Sequence, residues 1–259
     1  EKDVAKAASA YRHLGAIAAL NEPARARAAY ARAVELDPDN ADAINALAIL
    51  DHRLGNVAAA EDGWKTVLRF GNASASKELQ CTALGLVART RGDLDAAEDF
   101  HTQAHSLAKE LGLKEFMANQ LGNLGLVAQT RGNLDAAEDF HTQALTLDTE
   151  LGRKEGMASD LGNLGTVALI RGDLDAAEDF HTRSLALEKE LGRKEGMASD
   201  LGNLGTVART RGDLNGALLK YNEARALFAE VGMAPRVAWA DARISDVQAE
   251  LKALGDQSD

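Results

Sequence analysis

The chain has 259 residues and a formal net charge of −11, enough for one large domain or a continuous array of small units. Its apolar residues are mainly Ala and Leu, aromatic residues make up 4%, and only three prolines occur. This composition is typical of packed helices rather than strands. No apolar run reaches the roughly eighteen residues of a membrane-spanning helix. The acidic balance disfavours nucleic acid as a partner, because phosphate groups would be repelled.

Cys81 is the only cysteine, which excludes an internal disulfide and a cysteine-based zinc cluster and favours a reducing compartment. We therefore expect a cytoplasmic protein. Because Cys81 falls on an apolar helix face, we expect it to be buried and unreactive. The chain begins at Glu1 with neither an initiator Met nor an apolar leader, which predicts a fragment or a processed form of a longer protein.

The first two predicted units, residues 8–40 and 41–74, each place small residues, a Gly and a large aromatic side chain at helical spacing. The first unit has Tyr11, Leu14, Gly15, Ala26, Tyr30, Ala33 and Pro38, and the second has Leu47, Ala48, Gly55, Ala60 and Trp64. Each unit is therefore predicted to form two helices joined by a turn.

From residue 78 onward the sequence repeats with a period of about forty residues. The heptapeptide Gly-Asn-Leu-Gly-Thr-Val-Ala occurs at 162–168 and 202–208, with Leu in place of Thr at 122–128. The segment Arg-Gly-Asp-Leu-Asp-Ala-Ala-Glu-Asp-Phe-His-Thr begins at Arg91 and Arg171, and the copy at Arg131 has Asn for the first Asp. This repetition predicts four further units, at 78–117, 118–157, 158–197 and 198–232, followed by a capping helix over about 235–254.

Each long unit is predicted to contain a first helix, helix A, and a second helix, helix B. In the fifth unit, helix A is predicted over 157–170, with an apolar stripe at Leu161, Leu164, Val167 and Ala168. Gly172 then supplies a turn, and Asp173 stands where an N-cap carboxylate accepts a backbone N–H. Helix B is predicted from Leu174 to Leu191, with Gly192 ending it.

These residues resemble the tetratricopeptide repeat family, which has Leu-Gly in helix A, then a small residue, an aromatic residue and Ala in helix B. The matching residues are Leu164, Gly165, Gly172, Ala177, His181 and Ser184. His181 departs from the usual aromatic residue, and Ser184 from the usual Ala. The Leu-Gly-Asn of helix A resembles Pins-type adaptors in particular, and kinesin light chains are more distantly similar. The resemblance implies an all-α, right-handed superhelical solenoid of stacked helix-turn-helix units, spanning residues 1–259 as a single domain.

In that family helix A lines the concave surface, so the resemblance implies a binding groove there. Asn123, Asn163 and Asn203 recur at one place in this groove, and a side-chain amide can donate to and accept from a single peptide unit. We name these three residues the Asn series. The neighbouring predicted groove positions are Asn119, Ser159, Ser199, Leu126, Thr166, Thr206, Gln129, Leu169 and Arg209. Such a mild, mostly uncharged surface suits an extended or amphipathic peptide.

Each Asn follows a glycine, Gly122, Gly162 or Gly202, which costs a helix about 0.5 to 1 kcal/mol relative to Ala. A side chain at these positions would therefore obstruct a neighbouring group. That group is either a bound peptide or an adjacent helix A, and in the second case the Asn bonds a neighbouring side chain. The peptide interpretation is the one favoured here.

Three recurrent features have plainer interpretations. His101, His141 and His181 cannot converge on one metal ion, because successive helices lie about 8 to 10 Å apart, and we predict that they pack between units. The carboxylate pairs beginning at Glu98, Glu138 and Glu178 are predicted to form a solvated outer ridge. The arginines that close helix A either cap it or contact a ligand; they are Arg91, Arg131, Arg171 and Arg211.

No phosphate loop, two-histidine zinc helix or Gly-framed serine nucleophile occurs, so we predict no catalysis, no cofactor and no metal. The predicted function is a scaffold that binds a peptide segment of a partner protein, with no nucleic acid and no membrane insertion. Two alternatives remain open. Nearly identical units could stack into a homo-oligomer, or the array could be the regulatory or sensor arm of a larger signalling protein.

Overall fold

The computed structural model describes residues 2–19, 21–69 and 77–255. Within these ranges the chain forms thirteen α-helices and no strand, which confirms the predicted all-α repeat solenoid fold. It divides into two compact units, unit 1 (Glu1–Leu147) and unit 2 (Asp148–Asp259). The predicted end of the second repeat, near residue 74, and the polar segment 256–259 lie outside the described residues.

Unit 1 is a stack of helices in which each member from α1 to α7 packs on the next one along the chain. Its helices are α1 (Lys2–Ala18), α2 (Pro23–Leu36), α3 (Ala41–Arg53), α4 (Val57–Arg69), α5 (Lys77–Thr90), α6 (Leu94–Glu110), α7 (Lys114–Thr130) and most of α8 (Leu134–Leu151). Fully buried Trp64 of α4 packs in an apolar cluster with Ile44 of α3 and Leu86 of α5. This shared cluster joins the α3–α4 pair to α5.

Unit 2 continues from the last turn of α8 and has the same organisation. Its helices are α9 (Lys154–Arg171), α10 (Leu174–Leu191), α11 (Lys194–Thr210), α12 (Leu214–Glu230) and α13 (Ala234–Gly255). From α9 to α13 each helix packs on the next, and α9 also touches α11. Phe228 of α12 is buried among Leu201, Leu204 and Met233, and truncating such a phenylalanine to Ala typically costs about 3 to 5 kcal/mol.

Local sequence sets the helix ends. The Asp173 carboxylate accepts a hydrogen bond from the Ala176 N–H at 3.0 Å, which makes it the N-cap of α10 as predicted. Gly192 ends α10 with a φ of 67°, in the left-handed region that favours glycine. The predicted bounds of α10 are thus confirmed. Helix α9 begins at Lys154, three residues before the predicted start at Met157, because Gly156 is tolerated within its first turn.

A glycine of helix A faces a ring of helix B within each of five helix pairs. The pairs are Gly15 with Tyr30, Gly85 with His101, Gly125 with His141, Gly165 with His181, and Gly205 with Tyr221. In three of these pairs a histidine ring thus occupies the position where the other two pairs have tyrosine. Each histidine ring lies against the glycine of its own pair, and His101 and His181 also contact the next repeat, which agrees with the prediction that they pack between units.

Two further predictions concern buried side chains, and both are confirmed. Cys81 is buried, as predicted. The helix A stripe of Leu161, Leu164, Val167 and Ala168 is also buried. All the described helices are too short or too polar to cross a lipid bilayer.

Candidate peptide-binding site

The predicted groove residues of unit 1 lie on one face of α7, spaced three or four residues apart. Asn119 is exposed, whereas Asn123, Leu126 and Gln129 are half-buried. None of them belongs to the buried core. The face can therefore be reached by a partner.

In unit 2 the equivalent residues lie on α9 and α11, two helices that touch each other. Ser159 is exposed, and the others are half-buried; they are Asn163, Thr166, Leu169, Ser199, Asn203, Thr206 and Arg209. Because α9 and α11 are neighbours, the structure brings two members of the Asn series onto adjacent helices. We name this pair of half-exposed faces the helix A face of unit 2.

Three hydroxyl groups on this face already bond to the backbone of their own helices. Thr166 donates to the Gly162 carbonyl at 2.9 Å, and Ser199 donates to the Glu195 carbonyl at 3.1 Å. Thr206 lies 3.2 Å from the Gly202 carbonyl and 3.0 Å from the Tyr221 hydroxyl. These side chains are thereby less available to a ligand.

The Asn side chains differ from these hydroxyl groups. Neither Asn163 nor Asn203 forms a side-chain hydrogen bond within the part of the chain that the structure describes. Both are half-buried, so their amide groups face solvent over part of their surface. In the described part of unit 2, therefore, the Asn amides do not bond neighbouring side chains, which was the alternative to peptide binding. Each amide keeps one acceptor and two donor positions for a ligand.

The glycines beside the Asn series have two different surroundings. A Cβ at Gly202 would come within 2.9 Å of the Trp239 ring, so this glycine admits the capping helix α13. A Cβ at Gly162 would meet Ser184 Oγ at 3.5 Å and Asp200 Oδ1 at 3.6 Å, which are ordinary contacts. Helix packing thus explains Gly202. It does not require the glycine at 162.

Arg209, a predicted groove residue, is held by the capping helix. Its Nε donates to Glu250 Oε1 at 3.0 Å, and its Nη1 lies 3.5 Å from Asp246 Oδ2. The guanidinium is therefore neutralised by α13. A ligand could use it only in competition with these two carboxylates.

Two of the buried histidines reach the next helix pair through Nδ1. His101 Nδ1 lies 2.9 Å from Gln120 Oε1, and Gln120 Nε2 donates to Thr82 at 3.0 Å. His181 Nδ1 lies 3.0 Å from Asp200 Oδ1. Burial lowers the pKa of His101 to about 4. A neutral His101 therefore carries its proton on Nδ1, since the Gln120 oxygen can only accept.

The arginines that close helix A join consecutive repeats. Arg131, after α7, pairs with Asp95 and Glu98 of α6, and Arg211, after α11, pairs with Asp175 and Glu178 of α10. The carboxylates predicted to form a solvated ridge are thus partly ion-paired. These pairs are largely exposed, and such pairs contribute about 0 to 1 kcal/mol each.

Four buried carboxylates of unit 2 were not predicted from the sequence. Asp148, Asp160, Glu188 and Asp200 are each at most 5% exposed. Burial raises the pKa of Asp160 to about 8, with the nearby Asp148 adding to the effect and Arg153 opposing it. The only signal in the sequence is that Gly156 and Gly196 recur where the previous repeat has Phe116. Among the described residues, no group of three or more His, Cys, Asp or Glu could hold a metal ion.

A family model described as tetratricopeptide repeat matches residues 78–150 and 153–230. No curated protein matches the chain in sequence. Several solved structures are similar. The crystal structure of BtubC (BKLC) from P. vanneervenii is 24% identical, with a TM-score of 0.57, and the match covers 85% of this chain and 91% of that one.

Two further solved structures share the fold at lower identity. A Rap protein complexed with Competence and Sporulation Factor is 14% identical, with a TM-score of 0.64 and coverage of 94% of this chain and 75% of that one. The STAND protein PH0952 from Pyrococcus horikoshii, which has a tetratricopeptide repeat sensor, is 16% identical, with a TM-score of 0.67. That match covers 86% of this chain and 35% of the PH0952 chain. At these identities the likeness concerns the fold alone.

Proposed function

We propose, because this chain belongs to the tetratricopeptide repeat family, that it is a non-catalytic scaffold that binds an extended segment of a partner protein. The binding surface is the helix A face of unit 2. In unit 1, Asn123 holds the equivalent position on α7. The family's fold generally serves protein interaction, and one structure with this fold was solved with a factor bound. That general role supports the choice of a protein partner.

One observation carries the proposal. On the helix A face of unit 2, the hydroxyl groups of Thr166, Ser199 and Thr206 bond to their own helix backbone. By contrast, Asn163 and Asn203 make no side-chain hydrogen bond with a described residue. A peptide backbone offers one N–H and one C=O per residue, which is the complement of a primary amide. Recognition through the backbone would give affinity without specifying a sequence.

The chemistry of the partner segment follows from the residues around the Asn pair. Thr166 and Thr206 present methyl groups, Leu169 is apolar, and Arg209 is already neutralised by Glu250 and Asp246. The face thus holds no unpaired arginine to attract an acidic segment. We expect a partner segment with small or apolar side chains on the side that faces the Asn pair.

Site-specific crosslinking tests where the partner binds. A peptide would first be selected against the protein from a displayed library. A photoreactive residue would then be placed at exposed Ser159 of α9 or, as the matched control, at exposed Asp179 of α10. We expect the peptide to crosslink to the variant at position 159 and not to the variant at position 179. Crosslinking at 179 alone would place the binding surface on helix B and contradict the proposal.

A further inference from the structure

The junction between α10 and α11 contains charged groups in a place that is otherwise apolar. Glu188 of α10 is 3% exposed, and Asp200 of α11 is also 3% exposed. Two repeats earlier, the equivalent positions hold Ala108 and Gln120, which carry no charge. Two carboxyl groups have therefore been placed in a packed interface where the same chain elsewhere uses neutral residues.

The space for one of these carboxyl groups is made by a glycine. A Cβ added at Gly196 would overlap the carboxyl group of Glu188. The same combination of acid, Arg, Gly and Asp occurs one repeat earlier, at Asp148, Arg153, Gly156 and Asp160, and a Cβ at Gly156 would likewise overlap Asp148. The acid and the glycine thus occur together at two junctions. The preceding repeat has neither, because Ala108 stands in place of the acid and Phe116 in place of the glycine.

The charges around Glu188 come from each helix that packs at this junction. Glu155 faces it from α9, and Glu195 and Asp200 face it from α11. Arg193, between α10 and α11, is a cation that acts on Glu188, but its Nε lies 3.5 Å from Glu188 Oε2, too far for a strong hydrogen bond. Its side chain is 25% exposed. The junction thus holds more negative than positive charge when both buried carboxyl groups are ionised.

The surroundings of His181 do not favour a positively charged imidazole that would balance these carboxylates. Its Nδ1 is hydrogen-bonded to Asp200 Oδ1, but its Nε2 is buried and has no hydrogen-bond partner. This side of the ring lies against Gly165. An N–H group at Nε2 would therefore be buried with no acceptor, which is unfavourable. A proton on the Glu188 carboxyl group avoids this buried, unpartnered donor.

We propose that the α10–α11 junction is a proton-dependent joint, in which Glu188 and Asp200 both stay enclosed only while the Glu188 carboxyl group carries a proton. Ionisation of Glu188 loosens the contact between α10 and α11. Burial is the main reason that the pKa of Glu188 rises to about 7, with Arg193 opposing it and Asp200 adding to it. Because the folded protein holds this proton more tightly than the unfolded chain, the junction is most stable below about pH 4.5 and loses stability as the pH rises to about 7.

Hydrogen exchange measured by mass spectrometry at pH 5.5 and pH 7.0 tests the joint. Protection factors correct for the intrinsic effect of pH on exchange, so they report the opening of α10 and α11 directly. A carboxyl group that stays protonated to about pH 7 changes the opening equilibrium by roughly tenfold per pH unit. We therefore expect protection in α10 and α11 to fall by roughly tenfold to thirtyfold in the parent between these pH values.

Two variants and a control separate the joint from other titrating groups. Glu188→Gln removes the charge at nearly constant shape, and Asp200→Asn keeps an oxygen that accepts from His181. Both variants are expected to lose most of the fall in protection, even if one of them folds less well. The control Glu223→Gln, at an exposed position of α12, should keep it. If the parent shows no fall, or if both variants show the same fall as the parent, the proposal is wrong.

Discussion

The imidazole ring of His181 lies against the α-carbon of Gly165, so that a Cβ at this glycine would come within 2.8 Å of ring atoms Cδ2 and Nε2. We expect Gly165→Ala to destabilise unit 2 by about 1 to 3 kcal/mol, because overpacking outweighs the gain in helix propensity. Urea unfolding measures the change. The matched control is Gly162→Ala on the same helix, where the new methyl group makes ordinary contacts and should stabilise by about 0.5 to 1 kcal/mol. Equal stability of the two variants would show that the ring is not packed there.

His141 and His181 occupy the same position in successive repeats but differ in their hydrogen bonds, so replacing each with Phe should have different effects on stability. Both ring nitrogens of His141 lack a hydrogen-bond partner among the described residues, so His141→Phe should leave the free energy of unfolding unchanged or raise it. His181→Phe would deprive the buried Asp200 carboxylate of its donor and should cost about 1 to 3 kcal/mol at neutral pH. Thermal unfolding of the two variants provides the comparison. A stabilised His181→Phe protein would contradict the hydrogen bond to Asp200.

The histidines of unit 1 should make that unit sensitive to acid. Burial lowers the pKa of His141, and likewise of His101, to about 4, whereas the unfolded chain takes up these protons near pH 6.5. When folding lowers the pKa of a histidine, the folded state has its full stability above about pH 6.5. It loses stability as the pH falls towards 4, because the unfolded chain then binds the proton more readily than the folded protein. The expected loss is about 1.4 kcal/mol per pH unit for each histidine.

Tryptophan fluorescence can follow this loss in unit 1 alone. The chain has two tryptophans, Trp64 in unit 1 and Trp239 in unit 2. In a Trp239→Phe background, urea unfolding monitored by Trp64 should show stability falling between pH 6.5 and 4.5. Adding His141→Phe should remove the part of this fall that His141 causes. An unchanged pH dependence would mean that His141 titrates normally in the folded protein.

The ion pairs between repeats should contribute little to stability. Arg211 pairs with Asp175 and Glu178, but Asp175 is almost fully exposed, with 96% of its side chain accessible. We expect Arg211→Ala to leave the free energy of unfolding nearly unchanged, and any difference from the parent to disappear in 1 M salt, because salt screens exposed charges. A large loss of stability that persists in high salt would instead indicate a structural role for this arginine.

The sequence predicts the helix pairs well because each repeat carries its own local signals. The Asp173 cap and the left-handed Gly192 bound α10, and the glycine and ring of each pair recur at fixed spacing. The start of α9 was placed three residues late, since Gly156 looks like a breaker in sequence but serves to make room for Asp148. The buried carboxylates were missed because an isolated Asp or Glu near a helix end is normally on the surface. Only the packing of neighbouring repeats reveals that they are enclosed.

The candidate site is predicted less completely. The Asn series and its neighbours were chosen from the resemblance to the family, and the structure shows which of these side chains are engaged elsewhere. Arg209 is held by Glu250 and Asp246 of α13, a contact between residues about forty positions apart in sequence. Likewise, only the structure shows that Trp239 fills the space beside Gly202. Such contacts depend on how α13 packs, which no local pattern specifies.

Calorimetric titration with a selected peptide is the most direct test of the proposed function. If Asn163 and Asn203 each exchange hydrogen bonds with the bound backbone, changing both to Ala should remove about 0.5 to 1.5 kcal/mol per residue. The dissociation constant should then rise by roughly fivefold to a hundred-and-fiftyfold. Folding should survive, because Ala favours helix more than Asn does, and circular dichroism checks this.

The control changes Asp99, Asp139 and Asp179 to Ala on helix B, and it should bind with nearly the parent affinity. Weakened binding of the Asn variant together with intact binding of the Asp variant is the result that the account predicts. If the Asn variant binds as tightly as the parent while the Asp variant loses affinity, the binding surface is on helix B, and the proposed role of the helix A face is contradicted.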